Sequence, residues 1–432
     1  MEKISVVLPD KYSLVVGDTF QLFYRGVISA PNPYIYDIVS VCEKGKNRPR
    51  YFEFTPEQEG KYKLTISVYG PEKVLLGQGS TILDVAMPTQ PSKPVNVLCV
   101  GSSTTAGGQW PSEAQRRLIA NDGEPKGNGL KDINFIGTCR KGITGYEGYG
   151  GWRWDSYYTT AVGAMWAVCN THNKTIEDQH SLWQDEKGNI WQLETLAREW
   201  LKFNRYMQHK GDMPKAGDTL THYKNATNSE PIVLEKTSEE KKSPFYDDES
   251  GKVDFKKYCD RHGFGGIDVF YIMLGGNGTV EAYEAGLSIR DLCLENAEKA
   301  KIITRLVHKS YPNARVRIMG MMQASVNGGC GTSYGAIMPA CDFNRYNCYV
   351  LETNKVHQEW VKLPEFKDYV EFVNISGQYD VENVMPVIEV PVNTRSKKTE
   401  IIGINGLHPT DEGYMMVADA VYRNLVHTIK EL

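Results

Sequence analysis

Two hydrophobic rhythms divide the chain. Up to about residue 87 the apolar positions fall in short runs: ISVVL, SLVV, FQLFYRGVI, YFEF, YKLTISVYG and STILDVAM. Turn signals at Pro9-Asp10, Gly17-Asp18, Pro31-Asn32 and Gly70-Pro71 separate them. In one run Tyr62, Leu64, Ile66 and Val68 alternate with Lys63, Thr65 and Ser67, the period of a strand with one buried and one wet face. Strands spaced about ten residues apart predict a small all-β sandwich over residues 1–87. Pro88, Pro91 and Pro94 then make 88–94 a short stiff linker and the best domain boundary.

From Val95 onward strand and helix patterns alternate. Strands are predicted at 95–101, 133–136, 267–274, 314–322 and 369–375, and helices at 109–120, 287–310, 344–363 and 411–430. Repeated β–α alternation implies a parallel sheet with helices on both faces, in a domain over 95–432. An insertion at about 155–262 breaks the rhythm. Its 193–207 segment reads as helix and its 211–242 segment as loop. Trp152, Trp154, Trp166, Trp183, Trp191 and Trp200 cluster in and before it. They either pack the insertion onto the domain or offer flat faces to a sugar-like ligand.

Within this pattern PVNVLCVGSSTTAGG, residues 94–108, stands out. A buried strand is cut off by Gly101 and followed by small hydroxyl residues. The carboxyl end of such a strand is where open α/β sheets bind ligands. Ser103 is therefore a candidate nucleophile, and a plain Ser/Thr helix cap is the alternative.

Composition narrows the classes. Hydrophobic residues make up 41% and charged residues 24% of 432, with a net charge of -4. These are ordinary values for a folded domain, with no basic face for nucleic acid and no polybasic anchor. No run reaches the ~18 apolar residues of a membrane span. Residues 1–20 lack the apolar core of a signal peptide, although a mature form with its export signal removed fits equally. The nine cysteines are scattered without C-x-x-C or H-E-x-x-H, so no metal site is expected. Cys330 and Cys341 flank a Gly-rich loop and could form a local disulfide.

Four short blocks, in order, give the chain a resemblance to the SGNH/GDSL hydrolases, a superfamily of esterases, lipases and carbohydrate deacetylases. Residues 101–105 (GSSTT) match its G-D-S-L-T block, with Ser103 as nucleophile. Residues 147–152 (EGYGGW) resemble the second block, with Gly151 in the oxyanion position. Gly275-Gly276-Asn277 matches G-x-N, with Asn277 as a further oxyanion donor beside the Ser103 and Gly151 amides. Residues 405–409 (NGLHP) match D-x-x-H-P, with His408 as the base. The resemblance covers residues 95–430. It implies a three-layer α/β/α, flavodoxin-like domain and no cofactor. Residues 52–70 are similar to the late strands of immunoglobulin-like modules attached to extracellular enzymes.

Three aspartates of the family pattern are absent; Ser102, Gly278 and Asn405 stand in their places. Asn405 replaces the acid that orients the histidine. Its carbonyl could still fix the imidazole tautomer, as in a Cys-His-Asn arrangement. Asp380, Asp155 or Asp411 could otherwise supply the acid, although Asp411 is equally a helix N-terminal charge. Trp152, Arg153 and Trp154, beside the oxyanion glycine, are candidate substrate contacts.

The resemblance implies a serine esterase acting through an acyl-enzyme on a small-molecule or polysaccharide ester, with carbohydrate O-acetyl groups favoured. It also implies an extracellular, periplasmic or cell-surface bacterial setting, with the cytoplasm left open. The alternatives are a lipase or thioesterase for longer chains, and a catalytically weak carbohydrate-binding protein on an esterase scaffold. Oligomeric state is not legible.

Overall fold

The computed structural model describes residues 3–158, 243–279, 286–334 and 342–432, with short strand segments between 166 and 237. Its backbone falls into two compact units, Met1–Trp154 with Asp254–Leu432, and Asp155–Val253. The first is mixed α/β and contains a largely parallel sheet.

That sheet is built on Val95–Gly101, whose side chains are almost all buried, as expected of a central parallel strand. Cys139–Lys141, Thr144–Gly148, Val95–Gly101, Val269–Met273, Arg315–Met319 and Val370–Val373 lie side by side in that order. Ile133–Ile136 pairs with the first half of Val95–Gly101. Every pairing is parallel except that of Cys139–Lys141 with Thr144–Gly148. Gly101 is in register with both Gly148 and Met273, so these three strands end together.

Alternation gives the sheet two faces. Val95, Val97, Cys99, Val269 and Tyr271 share a core with Trp110 and Leu118 of helix Gln109–Ile119 and with Val417, Val421 and Leu425 of helix Asp411–Lys430. Phe270 points the other way and meets Phe255 edge-on at 5.7 Å. Asp411 and Glu412 open the terminal helix and His427 and Lys430 close it, matching its dipole. Helix Ile289–Ser310 starts at Ser288, whose hydroxyl accepts the Asp291 N–H at 3.1 Å.

Residues 11–86 form two small sheets. One runs Lys11–Val15, Leu75–Ala86, Gly60–Tyr69, Asp37–Val41; the other runs Phe20–Phe23, Tyr51–Phe54, Lys46–Asn47. Leu14, Phe20, Leu22, Phe52, Leu64, Ile66 and Leu83 fill one core between them. Leu64, Ile66 and Val68 are buried as their alternation requires; Ser67 is buried too, its hydroxyl accepting from Gln78 at 2.8 Å.

The second unit departs from the expected elements. The 193–207 segment is not a helix: Ile190–Arg198 and Leu201–Lys210 are antiparallel strands, with Leu193 opposite Tyr206 and Arg198 opposite Leu201. Leu, Glu and Ala favour a helix locally, but pairing within a seven-stranded sheet outweighs that preference. The 211–242 stretch contains strands Thr219–His222, Ile232–Val233 and Lys236–Thr237. Trp166, Trp183 and Trp191 lie on strands, but their side chains, like Trp200, are outside the described residues. Cys341 also lies outside them, and with it the Cys330–Cys341 pairing; Cys42, Cys99, Cys259, Cys293 and Cys348 are free thiols. Among the described residues no helix is long and apolar enough to cross a membrane.

Buried charges join the N-terminal sheets to the rest of the first unit. Asp18 accepts from Arg117 at 2.6 Å and from Arg423 at 2.5 Å, and Arg117 also pairs with Asp419. Burial pushes the Asp18 carboxyl up, but the Arg423 and Arg117 guanidiniums outweigh it and hold the group below the usual carboxylate range. Removing one partner of a buried pair strands the other. Asp18→Asn is expected to cost about 3 kcal/mol in urea unfolding at pH 7. Because the folded-state value is lowered, this contribution is complete above the ordinary carboxylate value of about 3.9 and disappears as pH falls through the lower folded value. Wild type and variant should therefore converge in acid.

Candidate functional site

The site begins where Val95–Gly101 ends. An ideal Cβ on Gly101 would lie 2.1 Å from the Thr105 hydroxyl and 3.0 Å from the Met273 carbonyl, so only glycine permits the turn. Ser103–Ala106 then makes a single helical turn, with the Ser102 carbonyl accepting from Thr105 and Ala106 at 2.9 and 3.0 Å. The Ser102 side chain makes no capping hydrogen bond. The Ser103 hydroxyl instead lies 2.9 Å from His408 Nε2, a contact spanning 305 residues.

His408 is carried by the loop before the terminal helix. Asn405 Oδ1 accepts the backbone N–H of Leu407 at 3.0 Å and of His408 at 2.9 Å. The sequence expectation gave that oxygen to the imidazole; here it shapes the backbone that carries the ring. Burial holds the His408 imidazole below its ordinary value, favouring the neutral form that can accept a proton.

The Asp380 carboxylate accepts from Arg50 at 2.9 and 3.2 Å and from Asn383 at 2.7 Å. Asp411 is the first residue of the terminal helix. Asp155 opens a 3-10 turn, Asp155–Tyr157, in the second unit.

The second block forms a turn beside Ser103. The Tyr149 N–H donates to the Gly101 carbonyl at 3.1 Å and the Trp152 N–H to the Tyr149 carbonyl at 3.2 Å. A Cβ on Gly150 would lie 4.0 Å from the Ser103 Cβ, and Gly151 has φ +79, with open space around it. Asn277 leaves the neighbouring strand Val269–Met273 through Gly275, whose carbonyl accepts the Tyr349 hydroxyl at 2.7 Å. One N–H of the Asn277 amide donates to the Trp152 carbonyl at 2.9 Å. A primary amide has two such hydrogens, so this contact orients the group and still leaves it a second donor.

Ser103, Asn277 and His408 line one recess of about 40 Å³ together with Met273, Met321 and Tyr346. The methionines and Tyr346 are linings that sequence patterns did not single out, since an apolar residue at a strand end reads as core. Trp152 and Trp154 do not serve as open platforms: they are 3% and 1% exposed, and Trp152 stacks on Tyr149 at 4.1 Å. Their large apolar faces are spent inside the fold. Arg153 between them is exposed and packs over Gly278, where a Cβ would fall 2.9 Å from its guanidinium carbon. Arg153 thus fills the space beside the position where the family pattern has an aspartate. Among the described residues no three His, Cys, Asp or Glu side chains converge as metal ligands do.

Two titrations follow. Followed by NMR, the His408 imidazole should titrate below its ordinary value of about 6.5. Asn405→Asp, by placing a negative charge beside the His408 backbone, should move that midpoint upward.

No family model matches the chain, and no curated protein matches it. Among solved structures, one titled "Peptidoglycan O-acetylesterase in action, 5 min" aligns with 79% of this chain and 93% of its own, at 14% identity and a TM-score of 0.27, a likeness that carries no argument about fold or activity.

Proposed function

We propose that the protein is a serine esterase that removes small acyl groups, most simply O-acetyl groups on carbohydrate. The observation that carries this reading is the 2.9 Å contact between Ser103 and His408, made across 305 residues in a recess that also holds Asn277. A serine hydroxyl attacks an ester only as its proton leaves. In this reading His408 Nε2 takes that proton as Ser103 Oγ bonds to the carbonyl carbon. The Ser103 and Gly151 N–H groups and the free hydrogen of the Asn277 amide receive the oxyanion. One such donor is typically worth ~3–4 kcal/mol of barrier. His408 then returns the proton to the leaving alcohol, and water repeats the sequence on the acyl-enzyme.

Met273, Met321 and Tyr346 line the recess beside Ser103, an apolar setting that suits an acyl group. The layering expected of an SGNH domain, an immunoglobulin-like N-terminal module and an extracellular or cell-surface setting belong to the same proposal. A second reading, a weakly catalytic carbohydrate-binding protein, is favoured by Asn405, which offers no carboxylate to an imidazolium.

One assay separates these readings. On a chromogenic acetate ester, Ser103→Ala and His408→Ala should each lower kcat by roughly 10³-fold or more, with an unchanged circular dichroism spectrum. Wild-type hydrolysis no faster than that of Ser103→Ala would sink the enzyme reading. A preference for acyl chains beyond about eight carbons would overturn the acetyl assignment.

A further inference from the structure

One buried carboxylate next to the site has no part in the chemistry above. Glu147 lies on the strand that ends beside Gly101 and is 0% exposed. A charge so placed persists only when hydrogen bonds replace its water. Oε1 accepts the Thr138 N–H at 2.6 Å and the Tyr258 hydroxyl at 2.5 Å. Oε2 accepts the Thr138 hydroxyl at 3.0 Å and the Tyr149 hydroxyl at 2.5 Å. A carboxylate has about four lone-pair sites, which suits donors from Thr138, Tyr149 and Tyr258. Burial, and then the Glu147 charge, push both tyrosine hydroxyls well above their ordinary value, so they stay protonated and donate.

Of these donors, Tyr149 leads towards the recess. Tyr149 begins the 149–152 turn, and its ring stacks on Trp152 with centroids 4.1 Å apart. The Trp152 carbonyl in turn accepts the Asn277 amide at 2.9 Å. Between Tyr149 and Trp152 lie two glycines, which have no side chains to anchor them. The position of the turn is therefore set from its ends. We propose that Glu147 is a positioning residue: through Tyr149 it fixes the turn that aims the Gly151 N–H and the Asn277 amide at the reacting carbonyl. The role rests on the esterase reading of Ser103 and His408. Glu147 touches no reacting atom.

Tyr149→Phe and Tyr258→Phe test it as a pair. Each removes one hydroxyl from the same carboxylate and keeps its ring; only the first loosens the turn. Steady-state kinetics on an acetate ester are compared with hydrogen–deuterium exchange of the 149–153 amides. Y149F should lower kcat about tenfold or more, with KM within about threefold and an unchanged pH profile. Y258F should keep kcat within about threefold. Exchange at 150–152 should rise in Y149F and not in Y258F. Wild-type kcat in Y149F, or an equal loss in both variants, would overturn the proposal. Should the wild type prove inert, the esterase reading fails by itself. Exchange then decides the positioning role, and unchanged rates in Y149F would refute it.

Discussion

The close approach of two strand ends, Gly101 and Gly148, is the constraint from which the site follows. A Cβ on Gly148 would sit 2.7 Å from the Ala106 N, just as one on Gly101 would strike Thr105. With both positions bare, the short helix Ser103–Ala106 can settle against the sheet instead of standing off it. That places the Ser103 hydroxyl over the carboxyl edge, where the loop before the terminal helix meets it. A larger side chain at either strand end would have to push this turn outward, and the 2.9 Å contact with His408 would open. Everything else at the site is arranged around that contact.

The charges near it are placed with restraint. Glu147 is surrounded by donors, Asp380 is committed to Arg50, and Asn405 spends its carbonyl on backbone amides. Burial lowers the proton affinity of the His408 imidazole.

Much of this was legible in the sequence, for specific reasons. Val97, Leu98, Cys99 and Val100 form a continuous apolar run because a central parallel strand is buried on both faces. Ser103, His408 and Asn277 were singled out by short blocks that resemble the SGNH pattern, and all three line one recess. Local patterns failed where partners far along the chain decide the outcome. The 193–207 segment carries helix-forming residues, yet strand pairing claims them. For Trp152 and Trp154 the sequence leaves packing and stacking both open, because a tryptophan's hydrophobicity does not reveal whether its face is filled. The partner of Asp380, Arg50, lies 330 residues away. Glu147 belongs to the 147–152 segment, but Tyr258, a donor to its carboxylate, lies 111 residues further on.

The ion cluster of Asp18 with Arg117 and Arg423 has a consequence for how such a chain can change over time. Arg423 belongs to the helix that follows the His408 loop, and its guanidinium also donates to the Thr19 carbonyl at 2.9 Å and to Gln378 at 3.1 Å. The amino-terminal sheets thus close the back of that helix and are not a bead on a string. Losing this segment would take the Asp18 carboxylate from both guanidiniums and leave Arg117 to Asp419 and Arg423 to Gln378. Substitutions at Asp18 and at the two arginines are therefore coupled, so the two parts of the unit are expected to change together.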